Sequence, residues 1–331
     1  MNQYITQDFK KYLLKATESS DCEELEIIQS LWSGYGKISR YHLFDSPFDT
    51  VVVKNISLSQ SNEHPRGWNT NNSHNRKVKS YQVETHWYEK WNQRCNDNCR
   101  VPKFLGSFSN DNNQWIVLED LNANFPLRKH QIDFNEVKVC LKWLANFHAT
   151  FLNEEPTDLW AIGTYWHLGT RPDEYEKIEH KELKSKAKLI DEALNYCKFK
   201  TIVHGDAKLA NFCFSENGGE VAAVDFQYVG GGCGMKDVGY FLGSCLSSSE
   251  CELYEKELLD FYFLELQSAL ENGQNLTSSK NIDFYELEQE WRKMYPFACV
   301  DFTRFLLGWM PTHQKVNNYN LKLMNSLLSR L

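Results

Sequence analysis

Two stretches decide the fold of this chain, Ile202-Val-His-Gly-Asp-Ala-Lys-Leu-Ala-Asn-Phe212 and Val221-Ala-Ala-Val-Asp-Phe-Gln227. Each begins as a short apolar strand and runs into a carboxylate that apolar packing alone would not select. Asn211 stands five positions after Asp206, and Asp225 stands nineteen positions after Asp206. A carboxylate can accept a proton from a hydroxyl group, while an amide oxygen and a second carboxylate can hold Mg²⁺. The two stretches therefore predict one site built from these three side chains.

This layout is typical of a kinase catalytic loop, where phosphoryl transfer needs positioning and cancellation of negative charge. The motifs HGDAKLAN and VDFQ resemble the aminoglycoside phosphotransferase and choline kinase group of small-molecule kinases, nearest its ecdysteroid-kinase-like branch. The resemblance implies that Asp206 is the catalytic base and that Asn211 and Asp225 bind the metal. Lys208 stands where protein kinases place a lysine that reaches the transferred phosphate, although many small-molecule kinases lack it, and we expect that role here. The alternative is that His204, Asp206 and Asp225 are ordinary loop and capping polar groups.

Two positions separate the chain from protein kinases, which share the pattern H-x-D-x-x-x-x-N. Protein kinases normally carry Arg where Gly205 stands and Gly where Gln227 stands. The glycine-rich run at residues 230–234 follows Asp225, and we expect it to adopt unusual backbone angles. It is too short for a protein-kinase activation segment. A protein kinase is therefore the less favoured alternative.

Composition sets limits on the class of protein. A length of 331 residues suggests two domains or one bilobal unit, and 42% hydrophobic with 24% charged residues is ordinary for a globular protein. The net charge of −8 argues against nucleic acid or an anionic membrane as the main partner. The sequence has neither a run of eighteen apolar residues nor a signal-peptide pattern. We therefore expect a cytoplasmic protein with no membrane span.

The ten cysteines are scattered along the chain, which predicts free thiols in a reducing cytosol rather than a disulfide framework. Cys95 and Cys99 lie close together, but a zinc site would need two further ligands at matching spacing. The cofactors that the sequence indicates are ATP and Mg²⁺.

A lysine stands at the end of a predicted buried strand, Thr50-Val-Val-Val-Lys54. In kinases a lysine at this point binds the α- and β-phosphates of ATP and pairs with a glutamate on the following helix. Glu84 and Glu89 are the candidate partners in the predicted helix at residues 79–94. Glu84 fits better, because the stretch Glu84-Thr-His-Trp-Tyr88 resembles the ecdysteroid-kinase-like branch. The alternative is that Lys54 extends from the strand end to water.

Gly34 and Gly36 lie in a predicted turn between two strands upstream of Lys54. Such a turn can cover nucleotide phosphates with backbone N–H groups, so we expect phosphate contact there. Two glycines also fit an ordinary hairpin turn, and this alternative stays open. Residues 57–76 are rich in Asn, Ser, His and Gly, and we expect a mobile loop that could fold over the nucleotide or the acceptor.

A hairpin is predicted from residues 101–108 and 114–119, and its second strand runs into Leu118-Glu-Asp-Leu121. The resemblance implies that this is the hinge of a kinase. Adenine would then bond to the backbone around Glu119 and Leu121.

The lobe boundary is placed at this hinge. Residues 1–119 would form an N-terminal nucleotide-binding lobe, and residues 120–331 would form a C-terminal catalytic and substrate-binding lobe. The predicted fold class is α+β, a bilobal protein-kinase-like fold with a small β-rich N-lobe and a larger, mostly helical C-lobe.

Several polar residues of the second lobe have a predicted structural role. A charged helix at residues 171–192 should present a solvated face, and His148 should pack and hydrogen-bond within a core helix. Asp237 should be the N-cap of the next helix, and the resemblance adds a role in bracing the catalytic loop. Asp301 and Arg304 lie in an apolar helix, where buried charges need partners.

The sequence thus predicts a phosphotransferase that moves the γ-phosphate of ATP to a hydroxyl of a small molecule. The complete set of Lys54, Asp206, Asn211 and Asp225 argues against the alternative of a nucleotide-binding pseudokinase scaffold. The aromatic residues of the second lobe could form a cage for an amino alcohol or an aminoglycoside-like amine, or an apolar slot for a sterol-like alcohol. No oligomeric state is predicted.

Overall fold

The structure is a computed structural model of the chain, and it describes residues 7–31, 34–57, 71–110, 113–272 and 282–331. The chain divides into two compact units. The first unit comprises Met1–Gln93 and Val101–Asn124, and the second comprises Arg94–Arg100 and Phe125–Leu331. The first unit therefore runs past the predicted boundary after residue 119, and the short segment Arg94–Arg100 belongs to the second unit.

The first unit contains a five-stranded antiparallel sheet with the order β1-β2-β3-β5-β4. Its strands are β1 Asp21–Ser30, β2 Gly36–Phe44, β3 Thr50–Ser57, β4 Phe104–Ser109 and β5 Asn113–Glu119. Its helices are α1 Gln7–Ala16 and α2 Asn71–His86. The predicted hairpin is thus present as β4 and β5.

Side chains on one face of β3 build the core of the first unit. Val51 and Val53 alternate with residues of the opposite face, as period-two side-chain placement in a strand requires. They pack with Phe9 and Leu13 of α1 and with Trp115 of β5. Lys54 stands on the other face of β3, between β2 and β5, and so lies inside the strand rather than at its end.

Two predictions in the first unit need correction. The predicted helix at residues 79–94 begins earlier, because α2 starts at Asn71, and it ends in a π-helical turn, Trp87–Trp91, and a 3₁₀ turn, Asn92–Arg94. Residues 71–76 therefore belong to a helix and not to a mobile loop. Polar residue types such as Asn, Ser and His cost at most about 0.7 kcal/mol each within a helix relative to Ala, so a polar composition does not exclude one. Residues 58–70 of the predicted loop lie outside the described residues.

The second unit is mostly helical. Its helices are α3 Phe134–Thr150, α4 Pro172–Glu176, α5 Lys181–Asn195, α6 Met235–Cys245, α7 Ser248–Asn272, α8 Phe284–Trp309 and α9 Asn318–Leu328. Its short strands are β6 Leu127–Arg128, β7 Thr201–Val203, β8 Phe212–Phe214, β9 Val221–Ala223 and β10 Gly230–Gly232. They form a sheet of β10 with β7 and another in the order β6-β8-β9. The predicted α+β class, with a β-rich first part and a mostly helical second part, is confirmed.

The glycine run and the charged helix differ from their predictions. Residues 230–232 form strand β10 opposite β7, and no residue from 230 to 234 has a positive φ. The charged segment is split into α4 and α5. Arg171 and Glu174 are buried there and bind each other over 3.2 Å, so this end of the segment is not a solvated face.

Within the described parts of the chain, no helix has the length and apolar character needed to cross a membrane. All ten cysteines lie in those parts, and each is a free thiol.

Candidate active site

Strand β7 leads directly into the predicted catalytic loop, where Gly205 is a position that only glycine can occupy. Its φ is +78°, and a Cβ built on it would lie 2.0 Å from the carbonyl oxygen of Tyr228. A side chain there would be strained and would collide with backbone. The arginine that protein kinases carry at this position therefore does not fit this loop.

The buried carboxylate of Asp206 is held by three donors. Its Oδ2 accepts hydrogen bonds from Lys208 Nζ at 2.9 Å and from Asn211 Nδ2 at 3.2 Å. Its Oδ1 accepts a hydrogen bond from the hydroxyl of Tyr240 at 3.0 Å. The structure thus brings together three residues predicted from the sequence and one, Tyr240, that sequence reasoning missed.

The charges around Asp206 also act on its neighbours. Burial lowers the pKa of Lys208, but the attraction of the Asp206 and Asp225 carboxylates outweighs this effect and raises the pKa overall. Lys208 therefore stays protonated at neutral pH. Burial raises the pKa of Tyr240, and the nearby Asp206 charge raises it further, so the hydroxyl remains a donor.

Asn211 and Asp225 are brought together by the backbone. The N–H of Val224 donates to the carbonyl of Asn211 at 3.0 Å, and Asp225 follows immediately. Asp225 has a φ of +72°, which is uncommon for a residue with a side chain and marks a strained position of the kind found at functional sites. Gln227, which replaces the glycine of protein kinases, donates to Asp225 Oδ1 at 2.6 Å.

These residues fit a magnesium ion. The amide nitrogen of Asn211 donates to the backbone and side chain of Asp206, whereas its Oδ1 accepts no hydrogen bond from the described residues. Asp225 adds a carboxylate on the residue that follows Val224, whose N–H is bonded to the backbone of Asn211. In the same described set, no group of three or more His, Cys, Asp or Glu side chains could hold a metal by itself. Mg²⁺ beside substrate phosphates needs only one or two protein ligands, so the small donor set is sufficient.

Asp237 holds the catalytic loop in place. Its Oδ2 accepts from the N–H of His204 at 2.6 Å and its Oδ1 from the N–H of Gly205 at 3.0 Å. His148 bonds Asp237 Oδ2 through Nε2 and Tyr262 through Nδ1, which confirms its predicted packing role. The predicted N-cap role of Asp237 is wrong, because α6 begins two residues earlier and Asp237 lies in its first turn.

Asp301 and Arg304 are fully buried in α8 and bind each other. Arg304 Nε donates to Asp301 Oδ1 at 2.9 Å, and another guanidinium nitrogen donates to the carbonyl of Trp166 at 2.9 Å. The pair therefore fixes the aromatic segment at residues 165–166 against α8.

In the first unit, Lys54 and Glu84 form a buried ion pair. Lys54 Nζ lies 2.8 Å and 2.6 Å from the two carboxylate oxygens of Glu84, and the residues are 4% and 2% exposed. Glu89, the rival candidate, is exposed and accepts a hydrogen bond from Ser107 instead. The strand-and-helix arrangement predicted for a phosphate-binding lysine is therefore present.

Gly34 lies in the turn between β1 and β2, and Gly36 is the first residue of β2. Residues 32 and 33 of this turn are outside the described residues. The N–H of Gly34 donates to the carbonyl of Leu31 at 3.3 Å. Gly36 has a φ of +131°, and a Cβ there would lie 2.0 Å from the carbonyl oxygen of Asn55. The backbone geometry at the start of β2 thus accounts for a glycine at position 36 without any phosphate contact. Gly34 is exposed to solvent.

The predicted hinge follows β5. The backbone N–H of Glu119 donates to the carbonyl of Lys103 at 2.9 Å, whereas the N–H of Leu121 donates to none of the described residues. Asp120 is not a solvated polar residue, because its carboxylate accepts from Arg40 at 2.5 Å and from Thr50 at 2.9 Å. It also caps the 3₁₀ turn that begins at Leu121.

Part of the second unit is similar to a known protein family. The model of the ecdysteroid kinase-like family matches residues 164–274. The resemblance predicted from the sequence is confirmed. The matched segment contains the catalytic loop, Asp225, Asp237 and Tyr240. No curated protein matches the chain.

Solved structures of small-molecule kinases are also similar to this chain. An aminoglycoside-3'-phosphotransferase of type VIII has 14% identity and a TM-score of 0.43, with 86% of this chain and 98% of that chain covered. A putative fructosamine-3-kinase from Haemophilus somnus 129PT has 9% identity and a TM-score of 0.46, with 96% of each chain covered. An ethanolamine kinase from Plasmodium vivax has 11% identity and a TM-score of 0.48, with 98% of this chain and 90% of that chain covered.

Proposed function

We propose that this chain is an ATP- and Mg²⁺-dependent phosphotransferase that transfers the γ-phosphate of ATP to a hydroxyl group of a small molecule. The observation that carries the proposal is the environment of Asp206. Its carboxylate is oriented by Lys208, Asn211 and Tyr240, and Asn211 is bonded through its backbone to the residue before Asp225. The candidate base, a lysine cation and oxygen atoms suited to binding a metal thus lie on or next to one loop.

In this reaction the acceptor oxygen forms a bond to the γ-phosphorus, and the bond from that phosphorus to the bridging oxygen of ADP breaks. The hydroxyl proton passes to the carboxylate of Asp206, which acts as the general base. Lys208, protonated beside Asp206, offsets negative charge on the transferred group. Tyr240 holds the carboxylate in the orientation that accepts the proton.

Asn211 Oδ1 and the Asp225 carboxylate would hold Mg²⁺, which neutralises phosphate charge when bound. Lys54, kept in place by Glu84, would bind the α- and β-phosphates. The N–H of Leu121 is available for adenine, whereas that of Glu119 is already bonded within the hairpin. Phosphate contact at Gly34 and Gly36 remains part of the proposal.

The experiment combines binding and turnover. The full chain is screened by thermal shift with an ATP analogue, Mg²⁺ and a panel of hydroxylated metabolites, and transfer of labelled γ-phosphate is then measured. We expect Asp206→Asn to keep ATP binding and to lower turnover by about 100-fold or more. We expect Asp225→Asn to weaken Mg²⁺-dependent ATP binding. Asp260→Asn changes a half-exposed residue of α7 and is the control, which should alter neither ATP binding nor turnover.

A pseudokinase scaffold makes a different prediction for the same assays. It would bind ATP but neither transfer phosphate to any acceptor nor hydrolyse ATP slowly in the absence of an acceptor. That result, or wild-type turnover in Asp206→Asn, would contradict the proposed mechanism. Broad labelling of a peptide array would instead favour a protein kinase.

A further inference from the structure

An aromatic box lies against the proposed base. We use this name for Tyr165, Trp166, Tyr240, Phe302 and Phe305, which come from α6, α8 and the segment before α4. The ring centres of Trp166 and Tyr240 are 4.8 Å apart, and those of Tyr240 and Phe302 are 4.9 Å apart. Rings at these distances and tilts form a closely packed aromatic cluster, in which tilted and edge-to-face contacts are favourable.

Lys315 supplies a cation to this box. Its Nζ lies 4.6 Å from the centre of the Tyr240 ring and 5.5 Å from that of Phe302, which is the range of a cation–π contact. No carboxylate of the described residues lies within ion-pair distance of Lys315. The aromatic faces are therefore its nearest partners.

The backbone keeps Lys315 at this position in the turn between α8 and α9. Its N–H donates to His313 Nδ1 at 3.1 Å, and its carbonyl accepts from the side-chain amide of Asn320 at 2.8 Å. The next residue, Val316, packs against the box. The lysine is thus placed by neighbours on both sides rather than extending freely from the surface.

A single tyrosine ring connects this cation to the proposed base. Tyr240 contacts Lys315 through its ring and Asp206 through its hydroxyl. Burial lowers the pKa of Lys315 to about 8, and the attraction of Asp206 opposes this lowering. Lys315 is therefore largely protonated at neutral pH.

We propose that Lys315 is a tethered cation that occupies the aromatic box beside Asp206 and excludes acceptors that carry a positive charge next to their hydroxyl group. The charge selectivity rests on the proposed function. A cationic acceptor would meet ring faces that are already covered, and it would be repelled by Lys315 and Lys208. An uncharged or anionic alcohol meets neither obstacle.

Two probes of the same shape test the proposal. Choline and 3,3-dimethylbutan-1-ol differ in having a quaternary nitrogen or a quaternary carbon, so that charge is the variable. Their binding to the full chain is measured by ligand-observed NMR, without nucleotide, for wild type, Lys315→Met and Lys315→Gln. Lys322→Met removes an exposed lysine of α9 and is the matched control. Circular dichroism establishes that each variant is folded.

We expect both Lys315 variants to bind choline at least about ten-fold more tightly than wild type and Lys322→Met, since the vacated ring faces can accept the quaternary nitrogen. The affinity for the neutral alcohol should change less. Equal choline binding in all proteins, including undetectable binding throughout, would overturn the proposal. So would a wild-type protein that prefers choline to its neutral counterpart.

Turnover separates this inference from the proposed function. Phosphorylation of neutral alcohols together with rejection of cationic ones by the wild type supports both. Efficient phosphorylation of choline by the wild type overturns the charge selectivity alone. If the Lys315 variants bind choline more tightly than the wild type but no acceptor is phosphorylated, the proposed function is contradicted. The occupancy of the aromatic box by Lys315 is then still supported.

Discussion

The hydroxyl of Tyr240 donates a hydrogen bond to Asp206 Oδ1 over 3.0 Å, across 34 positions of sequence. Hydrogen bonds to a charged group contribute about 1.5–3 kcal/mol, and this one fixes the orientation of the proposed base. We therefore expect Tyr240→Phe to lower kcat by about ten-fold while the KM for ATP changes little. Steady-state kinetics with the best acceptor measures this.

Tyr165→Phe is the control for this prediction. It removes a hydroxyl that lies 3.3 Å from that of Tyr240, but Tyr165 makes no hydrogen bond with Asp206. We expect a smaller loss of kcat than for Tyr240→Phe. Equal losses in the two variants would contradict a specific role for the bond between Tyr240 and Asp206.

Asp237 fixes the catalytic loop through two backbone N–H groups, so its charge should matter for folding as well as for activity. Asp237→Asn replaces one acceptor by an NH₂ group that faces the donors of the loop or of His148. We expect a loss of about 1–3 kcal/mol in the free energy of unfolding, measured by urea denaturation. A variant as stable as wild type would show that the loop is held by other contacts.

The ion pair of Lys54 and Glu84 allows stability and function to be separated. Lys54→Met leaves the buried Glu84 carboxylate without this cation and should cost about 3–5 kcal/mol of stability. The double variant Lys54→Met with Glu84→Leu should recover most of that stability, because an apolar pair can replace a buried ion pair. We expect ATP binding to stay weak in both variants. Recovery of ATP binding in the double variant would exclude a phosphate-binding role for Lys54.

Residues that are close in sequence were the predictable part of the site. Asp206, Asn211 and Asp225 lie in the short connections between β7 and β10, so their spacing already limits how far apart they can be. Lys54 was predictable because a charge in a run of β-branched residues needs a buried partner. The glutamate that pairs with it lies on the next helix, as the kinase pattern requires.

Contacts between distant elements were not predictable. The chain has 16 tyrosines, and nothing in the sequence marks Tyr240 as the one that reaches Asp206 or Lys315 as the cation above its ring. The prediction for Asp237 failed for the same reason. A local capping rule predicts an N-cap, whereas the side chain binds the catalytic loop that follows β7. Tertiary packing, rather than local sequence preference, determines which contacts these side chains make.

The acid sensitivity of the fold should depend on His167. Burial and the positive charges of Lys236 and Arg304 together lower the pKa of His167 to about 4, against an opposing effect of Asp301. Asp191 lies 3.5 Å from its Nε2. The unfolded chain takes up the proton near the ordinary value of 6.5. Between about pH 4 and about pH 6.5 the unfolded state binds more protons than the folded state. The free energy of unfolding therefore falls as the pH falls through this window.

His167→Gln removes this proton uptake. We expect the wild type to lose about 1–3 kcal/mol more stability than the variant between about pH 7 and about pH 4. Urea denaturation of both proteins at several pH values in this window measures the difference. Above about pH 7 the histidine is neutral in both states, so the two curves should run parallel there. Curves that also run parallel down to about pH 4 would show that His167 charges as readily in the folded protein as in the unfolded chain.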